Sequence, residues 1–192
     1  MDGQRGVAVV VPIRSFRAGK GRLAGVLTED ERAALSRLMA GRVLDAAAPL
    51  PVFVVTSDDE VRTFANQRGA TVIDDPGSLD GAAHAGRTTV EATGAGRMIV
   101  VHADIARPTP FAWVADFDGV TIVPDRHGTG TNVIALPVDV AFTFAYGDGS
   151  CARHAAEARE RELALRIVRD DALGWDVDEP DDLRALDDIT RA

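Results

Sequence analysis

Apolar and polar positions along the chain alternate between two patterns. Runs rich in valine, "VAVVVP" (7–12), "PVFVVT" (51–56) and "RMIVVHAD" (97–104), have the continuous apolar character of parallel strands buried on both faces. Between them lie helix signals. "TEDE" at Thr28–Glu31 is a capping box, and Leu35, Leu38, Met39 and Val43 follow at spacings of three and four, predicting a helix that buries one face. "SDDE" at Ser57–Glu60 predicts a second helix to about Gln67, ended by Gly69, after which "ATVID" (70–74) returns as a strand. A helix over about 80–93, a short helix near 108–116, and the strands "GVTIVP" (119–124) and "NVIALP" (132–137) come next. Helix "SCARHAAEARERE" (150–162), strand "LALRIV" (163–168) and helix "PDDLRALDDI" (180–189) close the chain.

Repeated strand–helix alternation with short connections predicts an α/β fold with a mainly parallel central sheet and helices on both faces. The closely spaced strands 119–124 and 132–137 predict a local antiparallel excursion. No internal repeat or linker divides the chain, so residues 1–192 are expected to form a single domain.

Charge and cysteine content narrow the function classes. A net charge of −9 argues against a general nucleic-acid binder, which needs a basic face, but allows an enzyme with a local cationic cluster. No stretch approaches the roughly 20 apolar residues of a membrane span. The start of the chain runs directly into a strand and has no signal-peptide layout, and the single cysteine, Cys151, fits a reducing compartment, so a cytoplasmic location is expected.

In open α/β sheets ligands lie beyond the carboxyl ends of the strands, and the polar segments there are the candidates for chemistry. "PIRSFRAGKGRLAG" (12–25) gathers Arg14, Arg17, Lys20 and Arg22 around Gly19 and Gly21. Loop amides with nearby cations make an anion site; a solvated basic loop is the competing reading. The segment is neither a Walker A loop nor a Rossmann fingerprint. Asp104, at the end of a strand, suits Mg²⁺, which favours one or two carboxylates plus phosphate oxygens; capping the next helix is the alternative. His102 reads as a strand residue rather than a metal ligand, since no second histidine lies at metal spacing.

"PDRHGTGTNVIALP" (124–137) offers hydroxyls and amides suited to a carboxylate or phosphate, or else a Gly-rich hairpin. In "YGDGSCARH" (146–154), Gly147 and Gly149 permit close backbone approach and Ser150 stands at a helix N-terminus. In "GWDVDEPDDL" (174–183), Asp176 and Asp178 share one strand face and could complete a metal site with Asp104; favourable placement at a helix N-terminus is the alternative. Ser150 lies in no G-x-S-x-G motif and His154 follows on the same helix, a poor geometry for a triad. Cys151 reads as a small buried residue.

Together these segments resemble the 2-phospho-L-lactate / phosphoenolpyruvate guanylyltransferases, small relatives of the molybdopterin-cofactor nucleotidyltransferases. "VVPIRSFRAGKGRLAGVLTEDERAAL" is similar to their N-terminal signature, "ADIARP" stands where they carry Asp-Leu-Pro, and "DRHGTGTNVIALP", "YGDGSCARH" and "DVDEPDDL" match three C-terminal motifs in order and spacing. Their Lys, Ser or Thr, Gly-Leu-Asn and Pro are replaced here by Arg14, Gly21, Ser78-Leu79-Asp80 and Ala106. The resemblance covers nearly the whole chain. It implies a nucleotide-diphospho-sugar-transferase-like fold and a Mg²⁺-dependent enzyme of coenzyme F-420 biosynthesis that moves GMP from GTP to the phosphate of 2-phospho-L-lactate or phosphoenolpyruvate.

The resemblance further implies that Asp104 and Asp176 bind Mg²⁺, with Asp178 an alternative to Asp176. Lys20 and Arg22 would face the triphosphate and act with Asp104 in catalysis. Arg14 and Asp80 would join the nucleotide site, and Thr131, Gly147 and Ser150 would hold the acceptor's carboxylate. The expected partners are GTP and a phosphorylated small acid, with no nucleic acid or membrane and a homodimer as the base-rate expectation. A related nucleotidyltransferase using another base or acceptor, or an inactive nucleotide-binding homologue, is the alternative.

Overall fold

A computed structural model describes residues 6–183. Strand β1 (Val7–Pro12) pairs in parallel with β2 (Val52–Val55) and β4 (Arg97–Val101), and β3 (Thr71–Ile73) extends the sheet in parallel from β2. Strand β6 (Thr131–Pro137) runs antiparallel to both β4 and β5 (Val120–Pro124), and β7 (Leu165–Ile167) pairs in parallel with β5. The order is β3-β2-β1-β4-β6-β5-β7, so the expected antiparallel excursion is the single strand β6. Its reversal has a positional consequence. Val133 of β6 pairs with Val101 of β4, so the start of β6 meets the carboxyl end of β4.

Alternation within β1 explains its unbroken apolar run. Val9 and Val11 pack against α1 (Glu29–Ala47) and α2 (Asp59–Gln67), through Val43, Leu44, Val61 and Phe64 among others. Ala8 and Val10 face the opposite layer, where α3 (Leu79–Ala92) and α4 (Ser150–Glu160) lie. Each strand residue therefore meets a helix on one side or the other, which is why no polar residue interrupts the strand.

The Thr28 capping box forms as the sequence predicts: Thr28 Oγ1 accepts from Glu31 N, and Thr28 N donates to the Glu31 carboxylate at 2.8 Å. The buried stripe of α1 departs from expectation. Leu38 is 49% exposed, and the helix approaches the sheet through the small residues Ala33, Ala40 and Ala47 together with Val43 and Leu44, while Met39 packs against Leu23, Ala106 and Val177. The cap of α2 is Asp58 rather than Ser57; Asp58 accepts from Val61 N at 3.0 Å while Ser57 Oγ donates to the Asp75 carbonyl. The charged carboxylate is the stronger acceptor for the first-turn amide, Ser57 is engaged by Asp75, and the capping-box pairing of Ser57 with Glu60 is not made. The short helix expected near 108–116 is a 3-10 turn, Ala112–Ala115. At the C-terminal end Pro180–Leu183 forms a 3-10 turn, and the rest of the helix expected to residue 189 lies outside the described residues. Among the described residues no helix is long and apolar enough to cross a membrane.

Close packing of α3 on β1 depends on one glycine. A Cβ at Gly86 would lie 2.4 Å from Val10 Cγ1, and Val10 is fully buried in the central strand. Overpacking of this kind costs roughly 1–3 kcal/mol, against less than about 1 kcal/mol gained in helix propensity. Gly86→Ala is therefore expected to lower the melting temperature by roughly 2–6 °C, as measured by thermal denaturation.

Candidate active site

The chain leaves β1 into the segment 13–25, where Lys20 adopts a left-handed conformation (φ 63°, ψ 34°). A non-glycine residue there costs on the order of 1–2 kcal/mol, so surrounding structure must hold it. Leu23 N donates to the Lys20 carbonyl at 2.9 Å, opening the 3-10 turn Gly21–Gly25, and Leu23 itself is fully buried against Met39, Ala106 and Val177. The anchored turn directs the Lys20 side chain inward. Its Nζ lies 2.6 Å from Asp104 Oδ2 and 2.9 Å from Asp178 Oδ1. Burial pushes the ammonium pKa down, but the charges of Asp104 and Asp178 more than offset this and hold it above its usual value.

Asp104 follows β4, and a short antiparallel bridge between Ile105 and Asp176 draws the 176–178 segment beside it. Ala106 N donates to the Trp175 carbonyl at 2.8 Å and Val177 N to the Asp104 carbonyl at 3.2 Å. Asp182 reinforces the segment by accepting from Asp178 N and Glu179 N. Asn132, buried at the start of β6, donates to the Leu173 carbonyl at 3.0 Å and to Asp176 Oδ1 at 3.4 Å. Burial, and then the charge of Asp104, pushes the Asp176 carboxyl above its ordinary range. Burial acts in the same direction on Asp104, but Lys20 and His102 override it and leave that carboxyl below the usual value.

This chemistry has room for a cation beyond Lys20. Asp104 Oδ1 is buried without a hydrogen-bond partner, and burial, followed by the charges of Asp104 and Asp178, disfavours the ionised form of Asp176, which a cation would favour. Among the described residues no three His, Cys, Asp or Glu side chains are gathered as a ready metal cage. Hard oxygen donors numbering one or two, with the remaining positions left to phosphate and water, are what Mg²⁺ takes. The residues fit that ion.

A cleft of about 350 Å³ opens over this cluster, lined by Arg14, Lys20, Leu79, His102, Asp104 and Asp178 among others. It adjoins a slot of about 250 Å³ between Ile13, Val55, Ser78, Leu79 and Ala82, also bordered by Arg14. The other cations of the loop are placed differently from expectation. Arg17 turns away to Asp30 (3.0 Å), Glu29 and Glu60, because α1 begins with three acidic residues that attract it. Arg22 is 71% exposed on the 3-10 turn, 3.5 Å from Glu179, and does not line the cleft.

Asp80, expected in the nucleotide site, lines neither hollow and instead holds a loop. Its Oδ1 accepts from Tyr146 N at 2.7 Å, tying the N-terminus of α3 to the loop before α4. An asparagine retains that acceptor oxygen and alanine does not. Asp80→Asn should therefore melt like the unmutated protein, while Asp80→Ala, which leaves the Tyr146 N–H without its partner, should lower the melting temperature by roughly 2–6 °C, as measured by thermal denaturation.

Thr131, Gly147 and Ser150 are brought together at the start of β6 and of α4. Ser150 Oγ lies 3.3 Å from Thr131 Oγ1, and Ser150 N donates to the Gly147 carbonyl at 3.0 Å. The two hydroxyls are buried while Gly147 is exposed. The glycine-rich turn before Thr131 is not an open anion nest. Asp125 fills it, accepting from Thr129 N at 2.9 Å and Gly130 N at 2.8 Å. A Cβ at Gly130 would lie 2.6 Å from Asp125 Oδ2, so that glycine serves the chain's own carboxylate. The sequence carried the signal, since Asp125 stands five residues before Gly130.

Three residues to which the sequence analysis gave no part in the chemistry stand at these positions. His102 lines the cleft and its buried Nε2 has no partner. Arg153 donates to the carbonyls of Ala145 (3.1 Å), Tyr146 (2.9 Å) and Asp148, clamping the loop before α4. His154, fully buried, bonds Thr131 and Ala145, and burial pushes its ring pKa down to about 4. Cys151 is buried, and burial raises its thiol pKa, as a packing residue requires.

The fold is shared with solved structures at low identity. A putative nucleotide-diphospho-sugar transferase from Desulfovibrio desulfuricans superposes with a TM-score of 0.75 at 17% identity, over 94% of this chain and 85% of that one. A nucleotidyl transferase from Methanothermobacter thermautotroptrophicus gives 0.68 at 16% identity, over 97% and 98%. Sequence relatives are nearer. The phosphoenolpyruvate guanylyltransferase of Sphaerobacter thermophilus is 36% identical over 92% of this chain and 90% of its own. The 3-phospho-D-glycerate guanylyltransferase of Phenylobacterium zucineum is 32% identical over 91% and 85%. Residues 7–187 match the family described as "Guanylyl transferase CofC like". With that match spanning the strand ends, the Lys20–Asp104–Asp178 cluster and the loop before α4, the chain belongs to the CofC-like guanylyl transferase family.

Proposed function

We propose that the protein transfers the guanylyl group of GTP to the phosphate of a phosphorylated C3 acid, phosphoenolpyruvate or 2-phospho-L-lactate, and releases pyrophosphate. The observation that carries this reading is the Lys20–Asp104–Asp178 cluster beneath the cleft, in a chain whose relatives are named for guanylyl transfer to phosphoenolpyruvate or 3-phospho-D-glycerate. An oxygen of the acceptor phosphate attacks the α-phosphorus of GTP, and the bond from that phosphorus to the oxygen leading to the β-phosphate breaks. The acceptor phosphate is already a nucleophile, so no general base is needed. Alignment and charge neutralisation are what the site must supply.

Lys20 offers its ammonium to the triphosphate, and Arg14 on the cleft wall supplements it. With no nucleotide bound, Lys20 neutralises Asp104 and Asp178; when it turns to phosphate, those carboxylates are freed. Asp104 and Asp176, with Asp178 as the alternative to Asp176, would then hold Mg²⁺. When bound, that ion neutralises charge on the triphosphate and the acceptor phosphate. The adjoining slot suits the planar base, between the side chains of Ile13 and Leu79. Arg22, exposed and paired with Glu179, has at most a peripheral role in this scheme. Thr131, Ser150 and the Gly147 loop form the acceptor side. The product belongs on the route to coenzyme F-420, in the cytoplasm.

Incubation with GTP, Mg²⁺ and each of phosphoenolpyruvate, 2-phospho-L-lactate and 3-phospho-D-glycerate, followed by pyrophosphate release, tests the proposal. Release with GTP and at least one acceptor is expected. Turnover with CTP or ATP but not GTP would point to a related nucleotidyltransferase, and GTP binding with no turnover to an inactive homologue.

A further inference from the structure

His154 is buried at the acceptor side, yet no step of the reaction uses it. Its Nε2 lies 2.9 Å from Ala145 N, and its Nδ1 lies 3.0 Å from Thr131 Oγ1. A backbone N–H can only donate, so Nε2 carries the lone pair, and in the neutral ring the proton is then on Nδ1. Nδ1–H donates to Thr131 Oγ1, and Ser150 Oγ shares a 3.3 Å contact with that same oxygen. Histidine, threonine and serine bring one hydrogen each, and the two contacts among them consume two.

One hydroxyl hydrogen is left over. It has no protein acceptor among the described residues, although Thr131 is 1% exposed and Ser150 2%. A buried donor left in this way calls for a lone pair from outside the protein. The opposite tautomer would leave Thr131 donating to Nδ1 and would set the Nε2 hydrogen against the Ala145 N–H. Ala145 is held from its other side as well, by Arg153 on its carbonyl, so that loop cannot turn away to relieve the clash.

We propose that His154 is a positioning residue that donates to Thr131 and so leaves one hydroxyl of the Thr131–Ser150 pair as an O–H donor, so that the acceptor side takes a group with lone pairs and no hydrogen, the carboxylate of the phosphorylated acid. The inference rests on the functional reading above for its choice of ligand. The donation to Thr131 itself rests on the geometry alone.

Long-range ¹H–¹⁵N correlation spectra of the unmutated protein read the tautomer directly, without turnover. A protonated Nδ1 and an unprotonated Nε2 are expected; the reverse overturns the proposal. In kinetics, His154→Leu should raise the KM for phosphoenolpyruvate about tenfold while leaving that for GTP within roughly twofold. His154→Asn, whose amide N–H can replace Nδ1–H, should recover most of the loss. A parallel rise in both KM values, or an asparagine variant no better than leucine, would reduce His154 to a packing residue. Melting curves identify a variant that fails to fold, in which case the ring-nitrogen shifts decide. If the unmutated protein releases no pyrophosphate with any acceptor, the functional reading fails, while those shifts still settle the donation to Thr131.

Discussion

Lys20→Met is expected to lower kcat/KM for GTP by roughly 10²–10³-fold, the loss typical of removing one preorganised charge or donor from a reacting site. The ammonium stands 2.6 Å from Asp104 and 2.9 Å from Asp178 and is the least exposed cation of the 12–25 segment for which a contact to acid is seen. Its removal leaves Asp104 and Asp178 without their counterion. The stability cost is moderated because Asp178 is half exposed, and about 1–2 kcal/mol is expected rather than the larger value of a fully buried pair. Lys20→Arg should not restore activity, since a planar guanidinium does not fit the point that an ammonium occupies between two carboxylates. A second signature separates charge balance from folding. Because the ammonium competes with an added cation, Mg²⁺ should raise the melting temperature of Lys20→Met more than that of the unmutated protein. Activity within about fivefold of the unmutated value would contradict the role given to Lys20.

Asp104→Asn should be the other severe change, with turnover lowered roughly 10³-fold or more, equivalent to several kcal/mol of lost charge stabilisation in the transition state. The substitution preserves shape, so circular dichroism should change little; the melting temperature should fall modestly, because Lys20 loses the charge of Asp104 Oδ2 and keeps only its contact with the half-exposed Asp178. Pyrophosphate release measured across a range of Mg²⁺ concentrations makes the test sharper. If the carboxylate holds the ion, the variant should need far more Mg²⁺ to reach its residual rate. A variant with ordinary turnover and an unchanged Mg²⁺ requirement would exclude Asp104 from metal binding.

What could be read in the sequence follows from the range over which each interaction acts. The strands β1, β2 and β4, the Thr28 cap and the β5–β6 hairpin are local patterns, and the structure has them within three residues of the expected bounds. Errors arose where two local candidates competed. Ser57 and Asp58 could each cap α2, and Asp58 does. Large apolar spacing suggested Leu38 as a buried residue, whereas alanines form the close contact of α1. The glycines of 128–130 looked available to a ligand, but Asp125 takes their amides.

Long-range placement was another matter. Lys20 meets Asp104 and Asp178 across separations of 84 and 158 residues, and no periodicity encodes such a meeting. The residue pattern offered Asp104, Asp176 and Asp178 as one metal site and Lys20 as part of an anion site, but neither the pattern nor the resemblance to a family brought Lys20 against the carboxylates. Arg17 shows the limit of counting charge along a loop, since its nearness to Lys20 in sequence did not keep it in the cleft. His154 was legible as a helical histidine, but its role depends on which backbone amide meets its ring, and only coordinates supply that.

On the proposed function, the reversal of β6 sets the two ligands against largely different stretches of the chain. The donor side is lined by 12–25, the ends of β2 and β4, 75–82 and Asp178, whereas the acceptor side is written in 131–154. Mutations in 131–154 would then exchange one phosphorylated acid for another while the guanylyl-donating side changes little. Relatives named for two different acceptors, at 36% and 32% identity to this chain, are what such a division of labour would produce over time.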